Sequence, residues 1–150
     1  MRYFLDCEYN GFGGALLSLA LVPEDAGDEF YATIACDEPM EPWVERHVLP
    51  YLDTVPAGLV APRLSAEQAA MAVAAWLAHD ADAEIVADWP EDIAYFCRLL
   101  TVGPGRMVPL PALTFRLVPM VNFSTAANSK VPHNALHDAR ALRDHLLGLE

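Results

Sequence analysis

The sequence predicts an α/β domain: a mixed sheet, antiparallel in its first strands, flanked by helices. Three observations carry that reading. Residues 1 to 36 hold three apolar runs of strand length, joined by short turns. Helical and strand patterns then alternate through the rest of the chain, the signature of layered α/β structure. Finally, 150 residues with 54% apolar and 20% charged side chains suit a single domain, 1–150, around one core. No internal repeat, low-complexity segment or linker divides it.

Each element has a local reason. Arg2 to Tyr9 reads as a strand because Tyr3, Leu5 and Cys7 alternate with Phe4, Asp6 and Glu8. The string NGFGG, residues 10–14, marks a turn. Residues 16 to 22 are apolar but for Ser18, as expected of a central strand covered on both faces. After an acidic turn, residues 30 to 36 form a third strand, and the short connections favour antiparallel pairing. Trp43, Val44, His47 and Val48 fall at helical spacing, and Pro50 is expected to end that helix. Ser65 opens a stronger one. SAEQ is a capping box with Gln68 at its third position, and Ala69, Val73, Trp76 and Leu77 form its apolar stripe. Residues 83 to 87 form a short strand. Pro90 suits the first turn of the next helix, with Ile93, Phe96, Cys97 and Leu100 inward, and GPG at 103–105 breaks the pattern. Residues 107 to 123 are interrupted by proline and hold one candidate strand at 114–118. A final helix begins near residues 132–134 and runs to Leu147, with Leu136, Ala139, Leu142 and Leu146 inward.

Bulk properties narrow the function classes. The longest uncharged apolar stretch, residues 15–23, is too short to span a bilayer. The opening MRYFLDCEY lacks the apolar run of a signal peptide, so the cytoplasm is the expected compartment. Cys7, Cys36 and Cys97 are odd in number, widely spaced and set among apolar residues, which reads as reduced core thiols. A net charge of −12 argues against a protein that coats duplex with a broad basic face. It leaves room for one that grips only a strand end, where bound divalent cations supply positive charge.

Three short strings carry chemistry. Asp6 and Glu8, two apart on a strand, share one face of it. Two carboxylates on an apolar strand repel and desolvate each other unless a cation lies between them. The pair alone fits a solvated edge strand equally well. DWPED, residues 88–92, places Asp88 and Asp92 at a strand end and a helix start, where acids are common in any case. HNALHDA, residues 133–139, sets His133 at or before the last helix, on backbone expected to be mobile, and Asp138 rigidly inside its first turns. Taken together and in this order, the strings match what two-metal phosphodiester hydrolysis requires: four carboxylates for two cations, and a neutral imidazole to take a proton.

These strings resemble the DEDDh 3′-to-5′ exonucleases, a family with a ribonuclease-H-like fold. Its first motif appears as DCE, its last as HNALHDA, and its middle one as DWPED. The resemblance implies Asp6, Glu8, Asp92 and Asp138 as metal ligands for two Mg²⁺ or Mn²⁺ ions, and His133 as the general base. Asp88 stands in the place of a polar residue, usually Asn, which leaves the third ligand open between Asp88 and Asp92. MRYFLDCEY, WVERHVLPYL, DIAYFCRLL and HNALHDARAL are similar to the small bacterial exoribonucleases of the ribonuclease AS type, so the likeness covers most of the chain. That group implies hydrolysis at single-stranded RNA 3′ ends to nucleoside monophosphates, with adenylate-rich substrates and a homodimer in its best-described branch.

Several departures matter. NGFGG stands where many such exonucleases carry a polar turn that touches the terminal nucleotide. Gly11 could let backbone approach a substrate there, and Phe12 could stack on a base or join the core. Trp89 lies beside the acids, and Lys130 near His133 could meet a phosphate. Trp43 and Trp76 read as core or interface, and Arg140 and Arg143 as surface. His47, His79, His137 and His145 show no ligand spacing. Three alternatives stay open: a DEDDh exonuclease acting on DNA ends, a catalytically silent nucleic-acid-binding module on the same fold, and a plain acidic interaction domain with no site.

Overall fold

Alternation along the first strand becomes two-sided burial in the computed structural model, which describes residues 1–148. Strand β1 (Arg2–Tyr9) turns Tyr3, Leu5 and Cys7 to one face of the sheet and Phe4 to the other. It pairs antiparallel with β2 (Leu16–Pro23), which pairs antiparallel with β3 (Phe30–Thr33). On its other side β1 runs parallel to β4 (Ala83–Ala87).

After β3 come α1 (Pro42–His47) and α2 (Ala66–Leu77), and after β4 comes α3 (Pro90–Leu100). A small hairpin of β5 (Thr101–Gly103) and β6 (Arg106–Met107) leads to β7 (Leu113–Leu117), which lies parallel to β4. Short α4 (Thr125–Asn128) and long α5 (Ala135–Leu147) close the described chain. The result is a five-stranded mixed sheet in the order β3-β2-β1-β4-β7, flanked by helices.

The core has two main layers. Helices α2 and α3 cover one face, packing Ala69, Val73, Leu77, Phe96 and Leu100 on Tyr3, Leu5, Leu19, Leu21 and Ile85. Helix α5 covers the other, setting Ala135, Leu136, Ala139 and Leu142 on Phe4, Ala20, Val22 and Val86. Fully burying a leucine side chain contributes about 1.5–3 kcal/mol, so Leu136 and Leu142, both wholly buried, anchor α5 to the sheet. Helix α1 adds a satellite cluster of Leu17, Val44, Val48 and Leu52.

Local chemistry sets the boundaries. The Ser65 hydroxyl accepts from the Gln68 main-chain N–H at 3.1 Å, and the Gln68 side-chain Oε1 accepts from the Ser65 main-chain N–H at 2.9 Å, the capping box read from SAEQ. Pro90 begins α3 as expected, since the first turn needs no N–H there.

Some expectations shift. The third strand was expected to reach Cys36, but the ladder stops at Thr33 and Ile34 makes a lone bridge to Leu64. Pro50 does not end the first helix; the break falls at Val48, and Pro50 sits in a 3-10 turn, Leu49–Tyr51. The hairpin around GPG and helix α4 are additions. Cys97 is exposed and Cys36 half-buried, so of the three free thiols only Cys7 is a core residue. Helix α3 is rotated so that Leu99, not Cys97, joins Phe96 and Leu100 in the core. Arg140 is no free surface residue: its Nε donates to Glu29 at 2.7 Å in a half-buried ion pair. Arg143, paired with Asp144, is also largely covered. Among the described residues, no helix is long and apolar enough to cross a membrane.

Candidate active site

Asp6 and Glu8 occupy the same face of β1 as Phe4, further along the strand. The pairing with β2 shifts register between Glu8 and Tyr9, an irregularity of the kind that re-aims side chains near sites. Asp92 enters from the first turn of α3 and is buried there. The Cys7 thiol donates to its main-chain carbonyl at 3.8 Å, tying α3 to β1. Asp138 enters from the first turn of α5. That turn is fixed by Asn134, which is fully buried. Its side-chain oxygen accepts from the N–H groups of Leu136 at 3.1 Å and His137 at 3.4 Å, while its amide donates to the Tyr51 carbonyl at 2.7 Å.

His133 stands just before this cap in the left-handed conformation, φ 61°. Such backbone is uncommon for residues other than glycine and disfavours β-branched side chains most. The segment is tied rather than loose, since the His133 N–H donates to Asp138 Oδ2 at 3.2 Å. Its ring meets Trp43 edge-on, centroids 4.9 Å apart, and Trp43 in turn packs on His47 at 4.7 Å.

Asp6, Glu8, Asp92, His133 and Asp138 line one cleft of about 410 Å³ with Asp88 and Trp89. Glu8, His133 and Asp138 bring ligand atoms within 4.8 Å of one another. No lysine or arginine lines the cleft among the described residues. Its electrostatics follow. Burial, then the charges of Asp92 and Glu8, holds Asp6 well above the usual carboxylate range. Burial and Asp138 push Glu8 up to about 8. Burial and Asp88 push Asp92 to about 8. Asp138 rises to about 6, burial outweighing the Ser129 hydroxyl and the His133 N–H that favour its charge. Burial, then the His47 charge, lowers the His133 pKa and so favours the neutral ring.

A divalent cation fits this arrangement. Asp138 Oδ1 is buried and has no hydrogen-bond partner, and buried carboxylates without compensating charge are costly. Carboxylate oxygens are donors of the kind that Mg²⁺ and Mn²⁺ take.

The metal-free protein is therefore expected to lose stability as pH rises. Unfolded carboxyls titrate near 4, while the folded values of Asp138, Glu8 and Asp92 lie at about 6 to 8. The native state binds more protons in that window, so stability is fully present below about pH 4 and is lost through pH 6 to 8. Thermal unfolding in chelator should show Tm falling by roughly 10 °C between pH 5 and 8, and a divalent cation should flatten the slope. A Tm that climbs over that range without metal would mean that the cluster is not under charge stress.

Of the residues read from the sequence, Asp6, Glu8, Asp88, Trp89, Asp92, His133 and Asp138 meet in the cleft. Gly11, Phe12 and Lys130 do not line it. Gly11 serves a turn, at φ 72°, and an added Cβ would lie 2.9 Å from the Glu41 side chain. Phe12 is 95% exposed, which rules out a core role. The cleft also takes Tyr9, Pro119, Met120, Phe123 and residues 124–126, which no pattern in the sequence singled out. Trp43 was read as core or interface, yet it is half-exposed and touches His133. A larger depression, about 500 Å³ beside Gly14, Arg98 and Tyr95, holds no comparable cluster of titratable groups. Volume does not single out the acidic cleft; converging charge does.

Fold and site together define a mixed α/β domain with a buried acid and histidine cleft. No protein-family model and no curated protein matches the chain.

Proposed function

We propose that the chain is a metal-dependent 3′-to-5′ exoribonuclease on a ribonuclease-H-like fold, releasing nucleoside monophosphates from single-stranded RNA ends. One observation supports this above all. Acids from three distant segments, β1, the start of α3 and the start of α5, meet in one cleft beside a histidine whose ring is biased to the neutral form. The direction of attack and the choice of RNA rest on the motif resemblance.

Asp6, Glu8, Asp92 and Asp138 would hold two divalent cations, Mg²⁺ or Mn²⁺. Such ions, when bound, supply Lewis acidity and charge neutralisation for phosphodiester hydrolysis. His133 accepts the proton of the attacking water, a role that suits a ring that burial biases to its neutral form. Trp89, Pro119, Met120 and Phe123 give the cleft an apolar lip that limits water and can face a base. The acidic floor repels a phosphate unless cations accompany it, so binding itself should depend on metal.

End-labelled RNA and DNA oligomers of matched sequence, with Mn²⁺, Mg²⁺ or chelator, test the proposal. RNA should shorten one nucleotide at a time from its 3′ end, only with metal, and a 3′-phosphate should block it. With nine basic residues against twenty-one acidic ones, affinity should fall only weakly with salt, reflecting few phosphate contacts. Internal cuts, or equal degradation in chelator, would sink the proposal. Faster loss of DNA would keep the chemistry and overturn the substrate.

A further inference from the structure

Trp89 is 55% exposed at the mouth of the acidic cleft, yet its polar edge is not free. Its indole N–H donates to Glu91 Oε2 at 3.0 Å, and the Tyr9 hydroxyl donates to the same oxygen at 3.1 Å. Tyr9 follows Glu8 on β1, so the link ties the indole to the strand that carries two of the acids. Tyr9 also stacks on Tyr95, centroids 4.4 Å apart and planes 18° from parallel, and the Tyr95 hydroxyl donates to the Gly14 carbonyl at 2.7 Å. Exposed aromatic surface is unfavourable in water, and here a chain of hydrogen bonds and stacking holds it in place.

The cleft selects its occupant. Its floor accepts an anion only together with cations, while its lip offers Trp89 with Pro119, Met120 and Phe123. A ligand that satisfies both carries a phosphate at one end and a flat apolar group at the other, which describes a nucleotide. Stacking on an indole tolerates any base, because every base has a π-face.

We propose that Trp89 is the platform on which the base of the 3′-terminal nucleotide stacks, and that Glu91 is the positioning residue that orients it. The inference rests on the nuclease reading and adds to it a residue that recognises the base. Holding the ring before substrate arrives removes ordering entropy from binding, so the Glu91 contact matters although Glu91 touches no substrate.

The test compares RNA with an ordinary and an abasic 3′-terminal residue, reading kcat and KM separately in Mn²⁺. The parent should prefer the base-bearing end by about 5- to 160-fold in kcat/KM, the range expected for one base–aromatic stack. Trp89→Ala should lose that preference and Trp89→Phe should keep most of it. Glu91→Ala should erode it chiefly through KM. Glu91→Gln retains a carbonyl oxygen for both donors while removing charge near Asp92, so it should preserve the preference.

Calorimetry of adenosine monophosphate and ribose 5-phosphate with Mn²⁺ gives a readout without turnover. The nucleotide should bind tighter in the parent and equally with the sugar phosphate in Trp89→Ala. If the parent degrades both RNAs alike, or Trp89→Ala still discriminates, the platform is overturned while the nuclease reading stands. If neither RNA is degraded with metal, the nuclease reading fails. Calorimetry then decides the platform: base-dependent binding lost in Trp89→Ala supports it, and its absence overturns it.

Discussion

Replacing Asp92 by Asn is expected to reduce metal-dependent RNA hydrolysis on the order of a thousand-fold, because a cation ligand contributes several kcal/mol of charge stabilisation and each 1.36 kcal/mol is tenfold in rate. The same change should make the metal-free protein more stable. Asp92 is buried, and burial together with the Asp88 charge pushes its pKa to about 8. An amide of nearly the same shape removes that repulsion, and at pH 8 in chelator Tm should rise by roughly 5 °C. Asp88→Asn provides the comparison. Asp88 is half-buried at the end of β4 and faces Asp6, Asp92 and Asp138 through its charge. Its loss should lower the carboxyl pKa values around it and leave most activity. Hydrolysis abolished by Asp88→Asn and retained in Asp92→Asn would exchange their roles.

Replacing His133 is expected to slow hydrolysis by roughly 10²–10⁴-fold, the range for loss of a general base. Asn is a cleaner substitution than Ala here. Asn tolerates the left-handed backbone at φ 61°, whereas Ala is strained there, and an amide cannot take the proton. The parent should gain activity as pH rises through the His133 pKa, which burial and His47 place below its ordinary value. The variant should lack that limb. Affinity for Mn²⁺ should change little, although the imidazole lies within 4.8 Å of the Glu8 and Asp138 oxygens. A tenfold loss of metal affinity would make His133 a ligand, and unchanged turnover would remove it from the chemistry.

The parts of the fold written in short-range pattern were legible in the sequence. The period-2 run in β1, the SAEQ capping box and Pro90 each have a local cause, and each lies where that cause puts it. What was not legible depends on partners far along the chain. Cys97 sits at an inward helical position by composition, but the way α3 rolls onto β1 turns Leu99 inward instead. Trp43 belongs to an apolar stripe, yet the stripe buries Val44 and Val48 and leaves the indole beside His133. The site divides in the same way. Carboxylates in pairs and a histidine ahead of a helix can be seen in a string of letters. The Glu91 clamp and the Pro119, Met120 and Phe123 lip cannot, because no spacing rule relates them to Asp6.

Helix α5 has two tasks that a growing chain cannot separate. It supplies half of one core layer, covering Phe4, Ala20, Val22 and Val86, and it delivers Asp138 to Asp6 and Glu8. Until that helix has been synthesised, one side of the sheet lacks its main cover and the cleft lacks an acid. The strands already made therefore carry two carboxylates that are still open to water and not yet strained. The free-energy cost of crowding the acids arises in the same step that buries Leu136 and Leu142, whose burial offsets it. A chain without α5 thus has the strand acids but no assembled acidic cleft.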